Sequence, residues 1–132
     1  MHTKKRWICL FAALLAFCII PVCVSAADKM IKIGGLFPMT GRAGLYGKDS
    51  VAAAEIAINE INAKGGAAGY KIDATFNDSK VKAAYAIRVA KRYISEDKVN
   101  FLFGVVSSGV GLAVTEVSKQ YKTIFIGTDH AS

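Results

Sequence analysis

From residue 30 onward the sequence alternates between two hydrophobic patterns, each typical of one kind of secondary structure. Short runs rich in apolar and β-branched residues predict four strands, at 30–37, 71–77, 101–106 and 123–127. Apolar residues spaced three or four apart predict three helices between them, at about 48–62, 79–95 and 110–120. This order predicts an α/β fold, a doubly wound parallel sheet with right-handed crossovers and helices on both faces.

The patterns within single segments indicate how deeply each would be buried. The strand at 71–77 alternates apolar and polar residues, which predicts one better-buried face. The run Phe101–Val106 is almost entirely apolar, as is typical of a central strand covered on both faces. In the first helix, Val51, Ala54 and Ile58 recur at helical spacing, so we expect one face of that helix to pack on the core.

The first 26 residues have the composition of a secretory signal peptide. A basic head precedes the apolar run Trp7–Val24, and small residues follow it. We expect cleavage after Ala26, and cleavage after Ala27 is one alternative. The other alternative is that the segment stays as an uncleaved membrane anchor, but its apolar run is slightly shorter than the roughly 20 residues of a spanning helix. Lipid attachment is disfavoured because Phe17 precedes Cys18 and Val22 precedes Cys23. We therefore predict residues 27–132 to be the exported, periplasmic part.

Charge and cysteine content change once the leader is set aside. The whole chain has a formal net charge of +7, and the leader holds three of the 17 basic residues and none of the 10 acidic ones, which leaves +4. The remaining basic residues are dispersed, so nucleic acid is not an expected partner. All three cysteines lie in the leader, at Cys9, Cys18 and Cys23, so the exported part needs no disulfide.

Loops that follow the strands supply the candidate ligand site. In the common strand order 2-1-3-4, the loops after the first and third strands meet at the topological switch point, which brings Tyr46 near Ser107 and Ser108. The segment Ser107–Gly109 begins a predicted helix, where backbone N–H groups attract an anion such as a carboxylate. The alternatives are that one serine only caps the helix, that Tyr46 is an ordinary packed aromatic, and that His130 is an exposed loop residue.

Several enzyme motifs are approached but not completed. The glycine loop before Lys48 lacks a P-loop serine or threonine because Asp49 stands there, and its glycine spacing is not that of a dinucleotide site. The turn at Ser107 lacks the first glycine of a hydrolase nucleophile elbow, since Val105 occupies that position. No cluster has metal-ligand spacing. We expect no enzyme activity, no cofactor and no metal.

Three stretches resemble the leucine/isoleucine/valine-binding proteins: IKIGGLFPMTGRAGLYGKDSVAAAEIAINEINAKGG, FNDSK and FLFGVVSSGVGLAV. The resemblance covers nearly all of residues 27–132. It implies a type I periplasmic binding fold with two lobes and a hinge, of which this chain would be the truncated N-terminal part of the first lobe. It also implies a receptor of an ABC importer, monomeric when complete, that captures a small amino acid or related carboxylate and delivers it to an inner-membrane permease.

The same resemblance implies roles for individual residues. Ser108 would hydrogen-bond the ligand's carboxylate or amino group, Tyr46 would line the side-chain pocket, and Ser107 would support the turn. The loop after the fourth strand, with Asp129, His130 and Ala131, matches a ligand-contacting segment. Asp129 and His130 stand where the family commonly has small residues, so we hypothesise a preference for a polar or aromatic carboxylate over a branched aliphatic amino acid.

Two other functions are compatible with the sequence. One is a ligand sensor on the same fold that takes no part in transport. The other is a secreted α/β hydrolase that uses Ser107 as its nucleophile, an interpretation that the incomplete elbow motif disfavours.

Overall fold

The computed structural model describes residues 29–130, which form one parallel sheet with helices on both faces. The elements are β1 (Met30–Phe37), α1 (Gly44–Ala63), β2 (Lys71–Asp78), α2 (Ala83–Ser95), β3 (Phe101–Gly104), α3 (Ser108–Tyr121) and β4 (Ile124–Gly127), with a 3-10 turn at Gly41–Ala43 before α1. The predicted signal peptide and Ala131 lie outside this range. Within residues 29–130, no helix is both long enough and apolar enough to cross a membrane.

The sheet has the order β2-β1-β3-β4, and every neighbouring pair is parallel. Ile33 of β1 lies opposite Ala74 of β2 on one side and opposite Phe101 of β3 on the other. The predicted α/β class, the strand order and the parallel arrangement are therefore confirmed. With β1 in the interior of the sheet, the loops that follow β1 and β3 leave from adjacent positions on one edge.

The face of the sheet that packs against α2 and α3 forms the closed part of the core. Leu36 of β1 and Leu102 of β3 are fully buried there. The helical residues that cover them are small or β-branched: Ala86, Val89 and Ala90 from α2, and Val110, Val114 and Val117 from α3. Full burial of each large aliphatic side chain contributes roughly 1.5–3 kcal/mol, so closure of this face stabilises the fold substantially.

Tyr93 of α2 joins the core to the backbone of the sheet. Its ring lies so close to β1 that a Cβ on Gly34 would meet Cδ2 at 2.6 Å. Its hydroxyl accepts a hydrogen bond from Asn77 Nδ2 at 2.8 Å. The hydroxyl hydrogen is within reach of two strand carbonyls, that of Thr75 at 2.8 Å and that of Gly35 at 3.1 Å. Burial raises the pKa of Tyr93 to about 12.

The opposite face, covered by α1, is only partly closed. Ile31, Ile33, Phe101 and Phe103 of the sheet and Ala54, Ala57 and Ile58 of α1 line an apolar cavity of about 420 Å³. At its outer side Ile124 and Ile126 of β4 are 58% and 55% exposed. The apolar side of α1 faces the sheet as predicted, but it covers β1 and β2 and leaves β3 and β4 open.

Three predicted boundaries are wrong. Helix α1 begins at Gly44 rather than near 48. Gly44 and Gly47 have the composition of a loop, but their lack of a side chain lets the first turns of the helix pack closely on Met39 and Pro38. Helix α2 begins at Ala83 rather than near 79, because Lys80 and Val81 have left-handed backbone angles. Strand β3 ends at Gly104 rather than 106, because the chain turns at Val105.

Replacing Tyr93 with phenylalanine should lower the free energy of unfolding by about 1–3 kcal/mol at neutral pH, because Asn77 and a strand carbonyl lose a buried partner. Urea unfolding followed by circular dichroism measures this change. An unchanged unfolding midpoint would contradict it.

The raised pKa of Tyr93 also predicts alkaline destabilisation. The unfolded tyrosine loses its proton near its ordinary pKa of 10.0 and the folded one near about 12. Above pH 10 the unfolded state therefore binds fewer protons than the folded state, and up to about 3 kcal/mol of stability is lost between pH 10 and 12. Urea unfolding curves measured between pH 10 and 12 should show this fall in the free energy of unfolding. In the Tyr93→Phe variant the part of the fall that comes from ionisation of Tyr93 should be absent.

Candidate functional site

The candidate site lies at the carboxyl edge of the sheet, between the ends of β1 and β3. β2 pairs with one side of β1, and β3 pairs with the other side. The loop after β1 and the loop after β3 therefore leave the sheet from neighbouring points and run in opposite directions. This is the topological switch point, the usual ligand position in open parallel sheets. The segments on either side are 38–46, which leads into α1, and 105–109, which leads into α3.

Ser107 and Ser108 begin α3 as predicted. Ser107 holds the extended N-cap conformation, and its side chain makes no capping hydrogen bond. The first helical turn is closed by Gly111, whose N–H donates to the Ser107 carbonyl at 2.8 Å. The N–H groups of Ser108, Gly109 and Val110 therefore have no acceptor within the helix, and with the helix dipole they favour an anion. Both serines are half-buried.

Val105 turns the chain from β3 toward these serines. It is fully buried, yet it holds φ +65, a left-handed conformation that is unfavourable for a β-branched residue. Its N–H donates to the Leu36 carbonyl at 2.7 Å, which fixes the turn to β1. Backbone strain of this kind costs about 1–3 kcal/mol and concentrates at functional sites. The apolar run 101–106 predicts a strand that includes Val105, whereas the chain turns at this residue.

Tyr46 lies in the first turn of α1, at the same edge as the serines. Its side chain is 65% exposed, and Leu45 beside it is also exposed, so Tyr46 is not an ordinary packed aromatic. Ser50 Oγ donates to the Tyr46 carbonyl at 2.7 Å within the helix. The start of α1 thus carries an exposed aromatic residue, and the start of α3 has N–H groups without an acceptor in the helix. Both helices begin after strands that flank the switch point.

Asp78, at the end of β2, fixes the loop that leads to Tyr46. Its Oδ1 accepts the backbone N–H groups of Met39 and Lys80, each at 2.8 Å, and its Oδ2 accepts the Thr40 hydroxyl. Partial burial opposes ionisation, but the hydrogen bonds from Thr40, Lys80 and Met39 outweigh it and lower the pKa of Asp78. In the sequence this role has only one signal, an aspartate directly after a predicted strand.

The loop after β4 holds the remaining predicted residues. Asp129 is exposed at its start. His130 is half-buried, and its ring stacks on Phe125 with 6.3 Å between ring centroids and an interplanar angle of 24°. It is therefore not the exposed loop histidine of the alternative interpretation. Among residues 29–130, no cluster of three or more potential metal ligands is present.

The described residues form an α/β lobe in which two helices begin at the switch point of a parallel sheet, one with an exposed tyrosine and one with a serine pair. Residues 30–132 match the family described as periplasmic binding protein. The chain belongs to this family of solute-binding proteins.

Similar proteins fall within the same family. Leu/Ile/Val-binding protein homolog 7 of Brucella suis biovar 1 (strain 1330) is 43% identical over 93 residues, which are 70% of this chain and 23% of that protein. Homolog 8 of the same organism is 34% identical over 110 residues, 83% of this chain and 27% of that protein. The chain therefore spans about a quarter of the length of these relatives.

Solved structures share the fold. The branched-chain amino acid transporter substrate binding protein LivJ of Streptococcus pneumoniae, in complex with isoleucine, superposes with a TM-score of 0.75 and 30% identity over 79% of this chain and 30% of that one. A solute binding protein of an ABC transporter from Rhodopseudomonas palustris BisB5, in complex with 3,4-dihydroxybenzoic acid, gives a TM-score of 0.72 and 27% identity over 78% of this chain and 28% of that one.

Asp78→Ala should destabilise the chain more than Asp78→Asn, because asparagine keeps an oxygen for the N–H groups of Met39 and Lys80 whereas alanine leaves them without that acceptor. The lowered pKa means that the carboxylate stabilises the fold above its ordinary pKa of 3.8, and that this stability is lost as pH falls through the lower folded value.

Thermal unfolding of both variants between pH 2 and 7 measures these effects. Asp78→Asn should weaken the acid dependence while staying close to the parent at pH 7. Equal losses for the two variants, with an unchanged acid dependence, would show that the carboxylate does not hold the loop.

Proposed function

We propose that this chain forms part of the first lobe of a periplasmic receptor that delivers a small carboxylate-bearing solute to an ABC importer in the inner membrane. The observation that carries the proposal is the unobstructed N-terminus of α3, with Ser107 and Ser108, at the switch point of a periplasmic binding protein fold. Binding by such a receptor makes and breaks no covalent bond, so no enzymatic activity is proposed.

Ligand chemistry follows from the two sides of the site. The helix terminus offers backbone donors and a positive dipole end, which suit a carboxylate. Tyr46 offers an exposed aromatic surface for the rest of the solute. The ligands of the two solved relatives, isoleucine and 3,4-dihydroxybenzoic acid, both carry a carboxylate, and they differ in whether the remainder is aliphatic or aromatic. We propose a carboxylate of one of these kinds, and that Asp129, exposed in the loop after β4, favours polar substituents on it.

A longer protein completes the proposed receptor. The 93 matched residues are 23% of the Brucella relative, which is therefore about 400 residues long. The partly open α1 face, with Ile124 and Ile126 exposed, is a surface that further chain would cover at a gain of about 25 cal/mol for each Å² of apolar area buried. A second lobe would close on the carboxyl edge by hinge motion and bury the solute between the lobes.

The alternative functions have weaker support. The hydrolase interpretation requires a base beside Ser107, and the histidine that residues 29–130 contain, His130, packs against Phe125, Gly111 and Gly127. No feature of the described residues favours a sensor over a transport receptor.

The exported gene product should begin at Ala27 and have a mass near that of the 400-residue relatives, because the leader is proposed to be cleaved and the lobe to continue. Amino-terminal sequencing and mass spectrometry of the periplasmic fraction of the source organism test both points. A product that retains Met1, or one that ends at Ser132, would contradict the corresponding part of the proposal.

Ser108→Ala should weaken carboxylate binding by that gene product by roughly tenfold or more, because the hydroxyl is proposed to hydrogen-bond a charged group. Calorimetric titration with isoleucine and with 3,4-dihydroxybenzoate measures the affinity for each carboxylate. The comparison also tests whether an aliphatic or an aromatic solute is preferred. Ser95→Ala is the matched control, since Ser95 ends α2 at the opposite edge of the sheet and bonds only the Lys91 carbonyl in the described structure.

Two results would overturn this assignment. One is that Ser108→Ala binds the carboxylate as tightly as the unmodified product and as the Ser95→Ala control do. The other is the absence of binding to both carboxylates by the unmodified gene product.

A further inference from the structure

The ring of His130 lies in a gap that two glycines leave between the end of β4 and the first turn of α3. A Cβ added to Gly127 would overlap the Nε2 of His130. A Cβ added to Gly111 would stand 3.0 Å from Cδ2 and 3.1 Å from Nε2 of the same ring. Phe125 stacks on the ring from the sheet. The imidazole therefore packs against Phe125 and fills the space that side chains at positions 111 and 127 would occupy.

Gly111 is the residue that closes the first turn of α3. Its N–H donates to the Ser107 carbonyl at 2.8 Å, and its carbonyl accepts the Thr115 hydroxyl at 2.9 Å. A shift of Gly111 therefore moves the preceding N–H groups of Ser108, Gly109 and Val110, which point out of the helix end. The His130 ring contacts this turn at the position where a Cβ of residue 111 would stand.

Without the contact to the His130 ring, glycine at position 111 would only lower the stability of helix α3. Inside a helix it is less favourable than alanine by about 1 kcal/mol. Gly109, in the same turn, has open space where its Cβ would be, whereas Gly111 has the His130 ring there. The ring thus gives a physical reason for glycine at 111 that does not apply at 109.

We propose that His130 is a positioning residue, which through Gly111 and Gly127 sets the place of the α3 N-terminus and so the affinity for the ligand's carboxylate. It acts through the turn and does not itself contact the solute. This inference rests on the proposed function for its effect on affinity, but its structural part concerns only residues 107–130.

A double-mutant cycle between Gly111 and His130 tests the structural part. Gly111→Ala should speed exchange of the amide at position 111, which bonds the Ser107 carbonyl, by roughly tenfold, because the new methyl displaces the turn from the ring. In a His130→Ala background the same change should instead slow exchange and raise the melting temperature, since the clash is gone and the gain in helix propensity remains. Gly109→Ala, the matched control, should raise the melting temperature in both backgrounds.

The measurements use the exported gene product, with amide exchange read by NMR or mass spectrometry. Val89 of α2, fully packed in the core, supplies the reference for global unfolding. If Gly111→Ala has the same effect with and without the histidine ring, the two residues do not interact and the proposal is wrong. Gly127→Ala gives a second path to the same result, because it displaces the ring from the strand side.

Ligand affinity tests the functional part. His130→Ala should lower the affinity for isoleucine by roughly tenfold and should change the affinity for isoleucinamide, which lacks the carboxylate, much less. Equal losses for the two ligands would show that His130 only stabilises the lobe. If the unmodified product binds neither isoleucine nor 3,4-dihydroxybenzoate, the proposed solute class fails, whereas the exchange data still decide whether His130 positions the turn.

Discussion

Burial of one sheet face by α2 and α3 is the interaction on which the rest of the described structure depends. Leu36 and Leu102 lie on the neighbouring strands β1 and β3, each opposite a glycine, and both are buried under the two helices. Tyr93 strengthens the contact because its hydroxyl bonds the backbone of β1 and β2 and its ring lies on Gly34. Helix and sheet are therefore held in one relative position, and with them the loops at the carboxyl edge.

A rigid core makes the strained turn at Val105 tolerable. The valine side chain is fully buried and its N–H bonds Leu36, so the surroundings compensate for an unfavourable backbone angle. The result is a sharp change of direction directly after β3, which places Ser107 at the beginning of α3. On the other side of the switch point Asp78 holds Met39 and Thr40, so the segment before Tyr46 is fixed by β2. Both halves of the candidate site thus depend on strand ends for their position.

The sequence predicted the elements that local pattern determines. All four strands, the three helices and the α/β class are as predicted, because apolar spacing reports directly on burial. The strand order was expected from the common order of doubly wound sheets, and it is also as predicted. The errors have tertiary causes. Val105 has the side chain of a strand residue but turns, and Gly44 resembles a loop residue but begins a helix that packs on Met39. These outcomes depend on neighbours that only the folded chain brings together.

The candidate site shows the same division between local and long-range information. Ser107 and Ser108 were identifiable because a serine pair after an apolar run is typical of a helix N-terminus. Asp78 was not, since its contacts with Met39 and Thr40 span 39 and 38 positions. His130 was assigned as a ligand contact from a resemblance, while its packing depends on the absence of side chains at Gly111 and Gly127.

The handedness of the crossovers accounts for the difference between the two faces. The chain moves from β1 to β2 in one direction across the sheet, and from β2 to β3 and β3 to β4 in the other. Right-handed crossovers then place α1 on one face and α2 and α3 on the opposite face. A further parallel strand added beside β4 would bring its helix to the α2 and α3 face as well. In the proposed longer protein, the open groove beside α1 must therefore be covered by chain that reaches it in some way other than the next simple crossover.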